Sequence, residues 1–207
     1  MDEIRHDGDA RDLQTWVAST YEGLADLLAS GPADTWDAPS LCTGWQIRHV
    51  VAHVTMPARL SAEQFGAEMA AARGDFTVLS DTVAARDASL PIAGLLDALR
   101  SPVLHGWQPP GGGAAAALGH AVVHSLDVTV ALGRPAVAPA EAVVAVLDHL
   151  AAADGAVFGV DLAGVRLEAA DTAWSWGDGE PVRADSGPLV ALLGGRGLPD
   201  GRVLRRR

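Results

Sequence analysis

The chain has 207 residues, with 26 acidic side chains against 15 basic ones and a formal net charge of −11. That balance argues against nucleic acid as a partner, because neutralising phosphates needs clustered cations and the only basic run is Arg205, Arg206 and Arg207 at the tail. An apolar fraction of 49 % and a single cysteine, Cys42, suit a self-sufficient core without an internal disulfide, as in a reducing cytosol.

In chain order, Leu13, Val17, Leu24, Leu27 and Leu28 recur near helical spacing, which predicts a first helix over residues 9–30, ended by Gly31 and Pro32. A loop over residues 33–43 follows. Thr43 is the expected N-cap of a second helix reaching about residue 73, with a kink or break near Met56 because Pro57 interrupts it. A third helical stretch is expected over residues 80–100, interrupted by Pro91, and a loop over 103–113. Residues 114–132 form the fourth predicted helix, closed by Gly133 and Pro135. Pro139 opens a fifth, to about residue 157, as its first helical residue.

The composition then changes. Residues 165–169, 173–176 and 182–184 read as short strands, and Ser186 as the cap of a last short helix through Leu193. The expected fold class is therefore mainly α: a helical bundle over residues 1–158 with a small α+β region over 159–207. No apolar stretch of membrane-spanning length, about 18 residues, is present. Residues 1–12 are charged and lack the apolar segment of a signal peptide. A cytoplasmic protein with no membrane partner, a monomer or homodimer, is the expectation.

Seven histidines occur: His6, His49, His53, His105, His120, His124 and His149. His120 and His124 stand four apart in an Ala-rich helical stretch. That spacing puts both imidazoles on one helix face, about 6 Å apart along the axis, where two can chelate one ion. His49 and His53 repeat the spacing on the second helix. A stable site needs a third ligand from a facing helix. Asp127 shares the face of His120 and His124 and can accept a bond from a ligand ring. His6, His105 and His149 are expected at the surface or in packing, with His105 in a loop that could approach the site. Trp36, Trp45, Trp174 and Trp176 are expected in the core.

Residues 43–53 (TGWQIRHVVAH), preceded by residues 36–42 (WDAPSLC), resemble the signature of the mycothiol-dependent maleylpyruvate isomerase family, a branch of the DinB-like metal-binding four-helix bundles. Residues 120–127 (HAVVHSLD) and 131–135 (ALGRP) resemble its second signature. Residues 167–171 (LEAAD), 174–179 (WSWGDG) and 194–196 (GGR) are similar to its tail. The resemblance implies a divalent metal, zinc first and iron or nickel as alternatives, with mycothiol as cosubstrate. It selects His53 as the ligand of the first signature and His120 and His124 as those of the second. Isomerase-type members carry Glu where His120 stands, so maleylpyruvate is only one candidate substrate. His49, where many members carry an acidic residue, is a fourth ligand, a proton carrier or a packed polar group; the last two are favoured. Arg196 is a candidate anion binder, since Arg suits bidentate carboxylate contact, and the family's appended domain supplies such an Arg; an ordinary surface ion pair is the alternative.

Three neutral histidines leave the site of a divalent ion at about +2, one more than a set with Glu. With three protein ligands one position stays open, as in catalytic zinc sites. A low-molecular-weight thiol there would be held as the thiolate, the competent nucleophile. The expected function is thus a metal-dependent enzyme that activates mycothiol for S-transfer to, or isomerisation of, an electrophilic small molecule. A hydrolase using metal-activated water and a non-catalytic metal-binding or regulatory protein are the alternatives. Cys42, as a rival thiol, fits better as a small apolar packing residue.

Overall fold

The computed structural model describes residues 3–207, with side chains from Asp12 onward; the expectation for the side chain of His6 lies outside the described residues. Helix α1 spans Glu3–Ser30 and buries Val17, Tyr21, Leu24 and Leu28 along one stripe. A 3-10 helix at Ala33–Asp37 buries Trp36 within the segment expected to be only loop.

The second expected helix is three helices: α2 (Ile47–Val54), α3 (Met56–Arg59) and α4 (Ala62–Ala71). Its N-cap is Gln46, not Thr43, because Gly44 at φ 81° turns the chain and Trp45 is still outside the helix. Pro57 sits in the first turn of α3, where its missing N–H costs nothing, so the helix restarts there. Leu60 is extended, and Ser61 caps α4 by accepting from the Gln64 N–H. The third stretch likewise divides into α5 (Phe76–Asp87), capped by Asp75, and α6 (Ile92–Leu99), which begins after Pro91.

Residues 103–113 are not all loop. Ser101 caps a short α7 (Pro102–Gly106), with Pro102 in its first turn. Helix α8 (Gly113–Thr129) carries His120 and His124, and α9 spans Ala140–Ala152. Pro139 lies just before α9 instead of within it. That helix ends earlier than expected, because Asp154 and Gly155 adopt positive φ.

Strands β1 (Val165–Ala169), β2 (Ser175–Trp176) and β3 (Glu180–Ala184) form a sheet in the order β2-β1-β3. The β1–β2 pair is antiparallel, with Leu167 opposite Trp176; the β1–β3 pair is parallel, with Leu167 opposite Val182. Helix α10 (Ser186–Leu193) follows. Its N-cap is Asp185, one residue before the expected Ser186, whose hydroxyl donates to Asp171 instead.

The Ala-rich α8 is the central element. It packs against α1 and α2 on one side and α9 and α10 on the other, while α5 lies on α2. Small residues on α8, such as Ala117 and Ala121, are fully covered and let its neighbours approach closely. Gly187 of α10 lies so near α8 that a Cβ there would stand 2.9 Å from Leu126 Cδ2. One continuous apolar core includes Leu24, Val50, Leu126, Val146, Leu167 and Leu192, so the C-terminal region is packed onto the helices and not appended loosely. Among the described residues no helix is long and apolar enough to cross a membrane.

Candidate metal centre

His53 comes from the last turn of α2, and His120 and His124 from consecutive turns of α8. Their ring centroids lie 4.7 to 5.2 Å apart, and each offers a nitrogen within 4.8 Å of the others. His53 is buried, while His120 and His124 keep a partly accessible edge.

The far nitrogen of each ring is held by a different partner. Ser80 Oγ on α5 lies 2.9 Å from His53 Nδ1. Tyr21 Oη on α1 lies 3.1 Å from His120 Nδ1. Asp127 Oδ2, one turn along α8, lies 2.8 Å from His124 Nδ1. With Nδ1 occupied in all three rings, the Nε2 atoms remain to converge. Those of His53 and His120 are 3.2 Å apart, close to the edge of a tetrahedron of zinc–nitrogen bonds, roughly 3.4 Å. The donor set therefore fits a borderline divalent ion such as zinc.

Burial sets the electrostatics. It lowers His53 to about 3, helped by the neighbouring His124, and it holds His120 well below its ordinary value. Both rings are thus neutral, the form in which histidine binds a metal. Burial alone would raise Asp127, but hydrogen bonds from His124 and Arg196 overcome it and hold the carboxyl well below its usual range. Cys42 Sγ donates to Asp127 Oδ2 at 3.0 Å, and burial with the Asp127 charge pushes its thiol up to about 12. Cys42 is consequently a protonated donor to the carboxylate, not a thiolate.

The matching family is that of the mycothiol maleylpyruvate isomerase N-terminal domain, over residues 17–191. The chain belongs to this family. Two solved structures share its fold across 96 % of both chains: a crystal structure of the mycothiol-dependent maleylpyruvate isomerase, at 15 % identity and TM-score 0.51, and one of a histidine-to-alanine mutant of it, at 14 % identity and TM-score 0.53. A comparison with curated proteins found no match. The bundle of this family member is accordingly the DinB-like fold, mainly helical with a small sheet.

The remaining candidates fall in different places. Arg196 lies behind His124, with Nε 2.9 Å and Nη2 3.0 Å from the Asp127 carboxylate and Nη1 donating to the Gly194 carbonyl. His49 is not among the three clustered rings: its Nδ1 accepts from the Gln46 N–H, 3.2 Å away, and closes the N-terminus of α2. His105 sits on α7, where its Nε2 pairs with the Leu99 carbonyl and its ring stacks at 6.5 Å on Tyr21. His149 is exposed. Of the tryptophans only Trp36 is fully buried; Trp45 faces His53 at 5.3 Å, and the Trp174 indole donates to Asp148.

Sequence reasoning missed Tyr21, Ser80 and Trp107, whose ring lies 5.5 Å from His120. Nothing local marks them: Tyr21 lies on α1, Ser80 on α5 and Trp107 just after α7, none within a helical turn of the ring it meets.

Proposed function

We propose that this family member is a metal-dependent enzyme in which His53, His120 and His124 hold one divalent ion, zinc by preference, and that it activates mycothiol for reaction with an electrophilic small molecule. The observation that carries the proposal is the inward convergence of three imidazoles whose opposite nitrogens are each tied to Ser80, Tyr21 or Asp127. An ion so held supplies Lewis-acid stabilisation of a thiolate at neutral pH.

The chain's own part is positioning. Ser80, Tyr21 and Asp127 fix each ring's rotation, and a proton on Nδ1 leaves Nε2 as the donor. Arg196 balances the Asp127 charge, so the carboxylate offsets little of the positive charge at the ligand face. Trp45, Phe76 and Trp107 flank the rings and limit water. His49 is engaged in closing α2 and is assigned no step.

In S-transfer, the thiol gives its proton to water, its sulfur forms a bond to carbon, and the leaving group departs with the electron pair of the broken bond. In isomerisation, sulfur adds to an activated double bond, the resulting single bond rotates, and the thiolate is expelled. The test is turnover of an electrophile with and without mycothiol, together with elemental analysis. Activity that needs both thiol and metal is expected. Equal rates without the thiol would overturn the thiol requirement and favour activated water. His53→Ala and His124→Ala should each lose most of the bound metal; unchanged stoichiometry would refute the site.

A further inference from the structure

The three histidines stand between two chambers of different chemistry. On the side of His53 and His120 lies a cavity of about 450 Å³, walled by Met56, Leu60, Phe65, Phe76, Trp107 and Pro109. On the side of His53 and His124 lies another of about 430 Å³, whose walls include Thr43, Thr77, Asp81, Arg196 and Arg206. His53 and Phe76 belong to both and form the partition.

We propose that the first chamber binds the electrophile and that this electrophile is uncharged and apolar. The proposal rests on the thiol-activating function above and names the substrate class for it. The chamber is of ligand size, and among the described residues no Arg, Asp or Glu contributes to its wall. Ser61 is the one hydroxyl among the described residues of the wall, and that oxygen already accepts the Gln64 N–H at 3.2 Å. Arg59, next along the chain, is turned away onto Asp87, Thr55 and the Ala52 carbonyl. A dicarboxylate entering here would leave water with no cationic side chain on the described wall to pair the charge that the ion at the histidine edge does not meet, which is costly. An apolar molecule would instead cover the rings of Phe65 and Phe76, 36 % and 52 % exposed. The neighbouring chamber, with its hydroxyls and cations, is left for the polar thiol. The two reactants thus meet at the histidine edge from opposite sides, which keeps the thiol path clear of the apolar substrate.

The test is isothermal titration of the protein, without thiol, against 1-naphthol as the neutral probe and maleate as the dianion. Naphthol should bind saturably and quench tryptophan fluorescence, with the quench reduced in Trp107→Phe, and maleate should bind at least about tenfold more weakly. Phe65 lies on α4, which buries none of its residues, so Phe65→Arg should keep its circular dichroism and metal content. It should weaken naphthol about tenfold or more and strengthen maleate. Maleate binding as tightly as naphthol to the unmodified protein, or naphthol affinity unchanged in Phe65→Arg, would overturn the proposal. The titration contains no thiol and reads only binding, so it stands or falls separately from the metal analysis and thiol-dependence assay.

Discussion

Arg196 grips Asp127 at two points, Nε to Oδ1 at 2.9 Å and Nη2 to Oδ2 at 3.0 Å, although 69 residues separate them in sequence. Asp127 is fully buried, and the same carboxylate orients His124 and accepts the Cys42 thiol. The C-terminal region thereby reaches the candidate metal centre without facing the ion itself. In the centre proposed above, the part of Arg196 is that of a positioning residue.

Arg196→Ala would leave a buried, unpaired carboxylate. A loss of about 3–5 kcal/mol in chemical denaturation is expected, with zinc affinity weakened roughly 10–100-fold in a chelator competition as His124 loses its support. Arg196→Lys keeps the charge but not the two-point grip, so it should fall between. Wild-type zinc affinity in Arg196→Ala would show that His124 does not depend on the ion pair.

Tyr21→Phe keeps the buried ring and removes only the oxygen beside His120; Ser80→Ala does the same for His53. Each should weaken zinc binding about tenfold or more while the far-ultraviolet circular dichroism stays unchanged. Equal affinity in both variants would mean that packing alone orients the rings.

The metal-free protein should lose stability on mild acidification. His53 and His120 titrate below the value near 6.5 of an unfolded histidine, chiefly through burial. As pH falls below about 6.5 the unfolded chain takes up protons that the native rings refuse. Stability should drop by roughly 1.4 kcal/mol per pH unit for each such ring. Above pH 7 these rings contribute no slope. Melting curves between pH 8 and 4.5 check this, and a flat profile would contradict it.

Cys42→Ala should retain metal and thiol-dependent turnover, because a thiol pushed up to about 12 is not the reacting nucleophile. Iodoacetamide should label Cys42 slowly at pH 8. Rapid labelling, or abolished turnover in the variant with its fold intact, would restore Cys42 as a reacting group.

Much of the fold was legible locally. Pro57 and Pro91 marked true helix boundaries, and β1 matches its expected bounds at Val165–Ala169. The errors have local causes too. The break expected near Met56 is present, but the second one at Leu60, before Ser61 caps α4, has no proline to mark it, and residues 102–106 form a helical turn capped by Ser101.

Within the site, sequence alone determined that His120 and His124 share a helix face with Asp127, because helical periodicity relates residues only a few positions apart. The motif resemblance added His53 as their expected partner. Tertiary structure alone decided what stands behind each ring and in front of it. Tyr21 reaches His120 across 99 residues, Ser80 reaches His53 across 27, and Arg196 reaches Asp127 across 69. Such distances are set by how helices pack, with small residues on α8 and Gly187 on α10 letting α8 be approached closely and α5 lying on α2, and no spacing along the chain encodes them.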